Sequence, residues 1–198
     1  MQFPLNYPLS LSFKIVAMAP QLSVTDARGS QVAYIKQKLF KLKEDVNVFE
    51  DSQKTRLAFN MKADRVIDFS PRFRFVDPVG QPVGSVKRQG AKSIWRARYD
   101  ILDGEMPTMR IHEENPWVKV WDALFGEIPI VGMFSGYVFH PAYLVVDGSD
   151  RVLMKMEKQP AFFEGKFTIE KLAPLSPEDE RRAFLSLMIM VLMERARG

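Results

Sequence analysis

The sequence predicts a mainly β protein: a closed antiparallel barrel of about twelve strands enclosing a central hydrophobic C-terminal helix. Three observations carry that expectation. Short alternating segments separated by turn residues run through most of the 198 residues. Several of these segments split their faces cleanly, apolar on one side and basic on the other. The last segment is a helix that is apolar on every face. Between Phe184 and Met193 the one polar residue is Ser186. An amphipathic surface helix keeps a polar side, so this one has to be surrounded.

The surrounding is protein rather than lipid. A bilayer span takes about 20 apolar residues, and a run of roughly 10–14 is more often a core helix. The run Ala183 to Met193 is 11 residues, flanked closely by charges. Ser176 suits the N-cap, Pro177 the first helical position, and Glu178, Asp179 and Glu180 the positive end of the helix dipole. Arg195 and Arg197 suit the negative end.

Taken in order, Leu9 to Ala17 reads as a strand broken by Pro20, and Gln21 to Asp26 as the next. Asp26-Ala-Arg-Gly-Ser30 is a turn by composition. Val32 to Gln37, Leu39 to Leu42, Val46 to Glu50 and Thr55 to Lys62 follow as strands. Arg72-Phe-Arg-Phe-Val76 sets two arginines against two phenylalanines. The turn Asp77-Pro-Val-Gly80 leads to Val83–Arg88, and Gln89-Gly90 turns the chain again. In Ser93 to Tyr99, Trp95, Ala97 and Tyr99 oppose Arg96 and Arg98. Asp103-Gly104 signals a hairpin into Thr108–Glu113. Asn115 and Pro116 open a short helical pattern, with Trp117, Val118, Trp121 and Leu124 at helical spacing and Gly126 at its end. Ile128 to Gly136 is apolar and glycine-rich, and suits a buried loop. Tyr137–Phe139, Ala142–Val146, Arg151–Glu157 and Lys166–Leu172 complete the strands.

Strands of six to eight residues at ~3.3 Å each build a wall of roughly 20–26 Å. A helix of about 21 residues at ~1.5 Å is roughly 31 Å long. A closed barrel with the helix on its axis fits both lengths and leaves no sheet edge. A β-sandwich with the helix across one end is the competing architecture, and it would leave one helix face wet. The expected organisation is a single domain over residues 1–198, with 176–197 as the central helix.

Composition limits function. There is no cysteine, which removes disulfides and thiol chemistry and suits a reducing cytoplasm. The N-terminus lacks a basic stretch before its apolar residues and is not expected to be a signal peptide. No segment reaches transmembrane length. The two histidines, His112 and His140, form no metal-binding pair. Gly132-Met-Phe-Ser-Gly136 misses the nucleophile-elbow spacing by one residue. Gly90-Ala-Lys-Ser93 lacks the glycine spacing of a phosphate loop. Asp147-Gly-Ser-Asp150 and Asp100 to Glu105 suit hairpin turns better than calcium loops. The sequence therefore points to no catalytic residues, no metal and no cofactor.

The net charge of +4 is unevenly spread. Residues 54–98 hold 11 basic and 3 acidic residues, whereas residues 99–198 hold 11 basic and 16 acidic. A basic block attracts polyanions. The same pattern also suits a solvated strand face.

Two stretches, Leu22 to Lys38 and Phe73 to Arg88, read apolar strand, Asp-x-x-Gly turn, apolar strand. Together with Arg182 to Met193 they resemble the LURP-one-related proteins, a family similar to tubby C-terminal domains and phospholipid scramblases. The resemblance implies a twelve-stranded barrel around a C-terminal helix. It also implies an affinity for anionic lipid, since tubby domains bind phosphoinositides. It assigns no residues.

The candidate headgroup-binding residues come from the basic block itself: Arg72, Arg74, Lys87, Arg88, Lys92, Arg96 and Arg98, with Arg65 nearby. If the aromatic faces point at the helix, these side chains point outward as one patch. The expected function is a non-enzymatic module, cytoplasmic or peripheral at a membrane, that docks on phosphoinositide or other anionic headgroups. The alternatives are a nucleic-acid-binding or protein-interaction module, and a lipid enzyme or transporter with a site near Trp117, Trp121 and Ile128–Gly136. Nucleic-acid binding is disfavoured because stacking needs exposed aromatics.

Overall fold

The fold was analysed in a computed structural model, which describes residues 1–16, 19–36, 45–64, 72–90, 98–114, 142–160 and 165–195. Twelve strands are present among them: β1 (Leu9–Val16), β2 (Ala19–Thr25), β3 (Gln31–Lys36), β4 (Asp45–Phe49), β5 (Leu57–Ala63) and β6 (Arg72–Val76), then β7 (Pro82–Arg88), β8 (Arg98–Asp103), β9 (Met106–Glu113), β10 (Ala142–Asp147), β11 (Val152–Gln159) and β12 (Gly165–Lys171). One helix, α1 (Pro177–Arg195), follows. The strands close in the order β1-β12-β11-β10-β9-β8-β7-β6-β5-β4-β3-β2. Each strand is thus antiparallel to its neighbours in sequence, and the first meets the last. The strand expected at Leu39–Leu42, the helix at Pro116–Phe125, the loop at Ile128–Gly136 and the strand at Tyr137–Phe139 lie outside the described residues.

Two boundaries differ from the sequence reading. Pro20 does not interrupt the sheet; it sits at the second position of β2, opposite Ile15, next to the strand start, one of the places to which prolines in sheets are confined. Of the strand read as Ser93–Tyr99, only Arg98 and Tyr99 are among the described residues; they open β8, which runs to Asp103 with Tyr99 and Ile101 buried and Arg98 exposed.

Four hairpins share one turn. Asp26, Asp51, Asp77 and Asp147 each accept a backbone hydrogen bond, 2.9–3.1 Å long, from the residue three positions on. That residue (Gly29, Lys54, Gly80, Asp150) has positive φ. In three of the turns one aspartate oxygen also takes the amides at the second and fourth positions after it: Arg28 and Ser30, Val79 and Gln81, Ser149 and Arg151. The aspartate side chain thus folds the loop on itself. The Thr55 amide holds the Asp51 carboxyl below its usual range, and the Ser149 amide does the same for Asp147.

The helix starts as its sequence requires. The Asp179 amide donates to Ser176 Oγ at 3.1 Å, and the Ser176 hydroxyl donates back to Asp179 Oδ2 at 2.8 Å. From Ala183 to Leu192 every residue is buried. Ser186, the polar interruption, donates to the Arg182 carbonyl at 2.7 Å, so its hydroxyl is satisfied within the helix. The inward faces of the strands complete the core, with Phe73, Phe75, Met61, Ile101, Ile111, Met154 and Met156 among the fully buried side chains.

The helix lies closest to β7 and β8. Gly84 on β7 has φ +143°, and its missing side chain leaves room for the Arg182 stem. Arg182 then reaches Asp103 at 3.1 Å, and also Asp179 of its own helix at 2.9 Å. The eight residues before β1 are ordered by the same end of the helix. In residues 1–8, Met1, Phe3, Leu5 and Tyr7 pack against the core, and the residues between them are exposed. Phe3 meets Phe184 edge-on at 6.1 Å, and the Leu5 amide donates to Glu180 Oε1 at 2.7 Å. Glu180, fully buried, also receives Lys171 Nζ at 2.8 Å.

Candidate functional site

The outward positions of β6 to β9 form one charged wall. Register sets Arg72 opposite Lys87, Lys87 opposite Asp100, and Asp100 opposite Arg110. A second row sets Arg98 opposite His112. Cross-strand partners have Cβ atoms about 5 Å apart, so these side chains share one surface.

Of the seven candidate residues, four stand on this wall. Arg74, Lys87 and Arg98 are exposed, and Arg72 is partly covered. Lys92 and Arg96 lie outside the described residues, as does Arg65. Arg88 departs from expectation. It is 6% exposed and faces the interior, with its Nε 3.6 Å from Glu194 of α1. Glu194 also accepts a hydrogen bond from the Tyr99 hydroxyl. Strand parity gives the reason. Lys87 and Arg88 are consecutive, so only one can face out, and Arg88 shares its side with the buried Val86. That parity was available in the sequence.

The wall is less cationic than its sequence suggests. Arg72 Nη1 bonds both Glu105 carboxylate oxygens, at 2.8 and 2.6 Å. This bond holds Glu105 below its usual range. Arg74 Nε donates to Asp64 at 2.7 Å, which raises the arginine further. Arg110 Nη2 donates to Asp150 at 2.8 Å. Glu105 and Asp150 lie 33 and 40 positions from their arginines, outside the basic block, so counting charges within the block could not reveal them; Asp64 lies 10 positions from Arg74.

A groove of about 230 Å³ opens on this wall, lined by Gln89, Arg98, Tyr99, Arg110, Ile111, His112 and Asp150. The Gln89 side-chain amide donates to Asp100 at 2.7 Å and borders it. His112 Nδ1 lies 3.2 Å from the Glu113 carbonyl. Of these lining residues the sequence reading singled out Arg98 for the basic patch; Arg110 lay outside the basic block, and His112 carried no motif. Among the described residues, no group of three or more His, Cys, Asp or Glu side chains is placed to hold a metal ion. No helix among them is long and apolar enough to cross a membrane.

Fold and site together define a closed β-barrel domain built around its own C-terminal helix, with a charged groove on its outer wall. Residues 31–126 match the family model of the LURP-one-related proteins, so the resemblance read from the sequence is shown over that stretch. An X-ray structure of a protein from Arabidopsis thaliana is similar in fold, with a TM-score of 0.49 and 14% identity over 96% of this chain and 92% of that one. No curated protein matches the sequence.

Proposed function

We propose that this chain is a single, non-enzymatic, tubby-like barrel domain over residues 1–198 that docks on anionic phospholipid headgroups through the outer wall of β6 to β9. The observation that carries the reading is the cross-strand register, which puts Arg72, Arg74, Lys87, Arg98 and Arg110 on one surface. Three of these arginines already pair with carboxylates; two of the pairs, Arg74–Asp64 and Arg110–Asp150, involve exposed arginines, and exposed ion pairs are worth only ~0–1 kcal/mol. A headgroup phosphate replaces such a partner at little cost, and forms shorter, charge-assisted bonds to the guanidinium. Nucleic-acid binding is less well supported. The exposed large apolar side chains among the described residues are aliphatic (Leu57, Val79, Met106 and Leu172), with no aromatic platform for bases.

The test is co-sedimentation with anionic and neutral vesicles at two salt concentrations, with single-stranded RNA as competitor. The triple variant Arg72→Glu/Arg74→Glu/Lys87→Glu is expected to lose binding to anionic vesicles while keeping its circular dichroism spectrum. Arg88 is left intact because it is buried. Equal binding by the variant, or preference for RNA, refutes the reading.

A further inference from the structure

The groove on β8 and β9 has a chemistry more specific than that of the wall around it. Arg98 and Arg110 stand on adjacent strands, diagonal to one another across the register pairs Arg98–His112 and Asp100–Arg110. His112 lies between them on the same face, and Gln89 closes one side. A volume of about 230 Å³ falls below the ~300–1,000 Å³ of sites for drug-sized molecules. It suits a single tetrahedral anion with part of its ester. Two guanidinium forks at the rim provide planar, paired donors, the geometry that selects phosphate oxygens.

We infer that this groove is a binding site for one phosphate monoester group, held by Arg98 and Arg110 and hydrogen-bonded by His112. The inference deepens the docking reading and rests on it only for the source of the phosphate, which is either a lipid headgroup or a soluble phosphate ester. Arg110 Nη2 donates to Asp150 Oδ1. Both partners of that pair are well exposed, so a phosphate dianion displaces the carboxylate or uses the remaining N–H groups. His112 Nδ1 donates to the Glu113 carbonyl, which leaves Nε2 as its second ring nitrogen. Nε2 donates to an anion only when the ring is protonated. The charged groups on the same face around the ring are Arg98 and Asp100 from β8, Arg110 from its own strand and Asp150 from the β10–β11 turn; Glu113 and Glu114 follow it in sequence, and its β10 register partner Leu144 is uncharged, with Lys155 of β11 opposite Leu144. A bound phosphate dianion adds negative charge beside the ring, and an added anion favours its protonated form.

His112 therefore reports occupancy directly. The experiment follows imidazole titration by NMR on the full chain, with the His112 signal assigned through His112→Gln. Inorganic phosphate is the first probe. It is expected to raise the His112 midpoint, and Arg98→Gln/Arg110→Gln is expected to abolish that rise. Both arginines are exposed, and an unchanged thermal transition verifies that the variant folds. Vesicles containing phosphatidylinositol monophosphate are the second probe. If they raise the midpoint and inorganic phosphate competes with them, the site takes lipid headgroups. If inorganic phosphate acts and the vesicles do not, the site stands with soluble phosphate esters as its ligands, and lipid docking through this groove is refuted. If neither probe moves His112, the inference is overturned; the docking reading then stands or falls separately on Arg72, Arg74 and Lys87.

Discussion

Gly84→Ala tests how the helix is seated in the barrel. The backbone of Gly84 has φ +143°, which L side chains rarely adopt. An added Cβ would stand 2.6 Å from Arg182 Cδ, 2.9 Å from its Cγ and 2.8 Å from the Leu102 carbonyl oxygen. These are far inside the ~3.5–4.0 Å optimum for heavy-atom contact. Relief is blocked on both sides. The carbonyl belongs to β8, which is held in register against β7. Arg182 is tied to Asp103 and Asp179 and is 8% exposed. A strained backbone costs about 1–3 kcal/mol, and overpacking about as much again. The expected loss is about 2–6 kcal/mol, a large share of a typical ~5–15 kcal/mol stability. Urea denaturation followed by circular dichroism reads it as a lower midpoint at unchanged slope. In an Arg182→Ala background the same substitution should cost less, because two of the three overlaps are gone while the carbonyl overlap remains. A cost of Gly84→Ala within about 0.5 kcal/mol of zero would refute the close seating of α1 on β7.

Three further outcomes follow from the same structure. Lys54→Gly is expected to stabilise the protein by about 0.5–1 kcal/mol, because Lys54 holds φ 61° at the position that glycine fills in two equivalent turns; a lower urea midpoint would contradict the shared turn. Burial raises the Tyr7 and Tyr99 phenols well above their ordinary value of 10.0, with Glu180 and Glu194 adding to the respective shifts. Both stay protonated in the folded chain while the unfolded chain ionises, so their contribution is intact below pH 10 and lost above it, by up to about 1.4 kcal/mol per pH unit each. Tyr7→Phe/Tyr99→Phe should therefore flatten the alkaline unfolding curve. Removal of residues 183–198 takes out nine large apolar side chains whose burial is worth roughly 15–25 kcal/mol gross. The truncated chain should be unfolded by circular dichroism, and a cooperative thermal transition in it would remove the helix from the centre of the core.

Much of this architecture was legible along the chain because it rests on local periodicities. Alternation at period two marked ten of the strands close to their observed bounds. The Phe184–Met193 run, apolar but for Ser186, demanded an enclosure, and closing the sheet supplied one. The Asp-x-x-Gly turns Asp26–Gly29 and Asp77–Gly80 announced two hairpins from their own residues, and the Asp147–Asp150 turn differs from them in the last position of that pattern.

The candidate site was legible only in part. Residue type and local charge pointed to Arg72, Arg74, Lys87 and Arg98. Strand parity could also have turned Arg88 inward, since Val86 and Arg88 share a side of β7. What charge counting along the chain could not supply was the partner of each cation. Glu105 reaches Arg72 across 33 positions, and Asp150 reaches Arg110 across 40. Each pair exists only once hairpins bring distant turns together. The same holds for the helix: its sequence determined that it must be buried, while the tertiary structure alone decided that it would lie along β7, with Arg182 over Gly84 and Glu194 beside Arg88. Hydrophobic burial has no direction and is written in composition and period. Ion pairs and close backbone approach depend on angstrom-scale position, which is fixed only when the barrel closes.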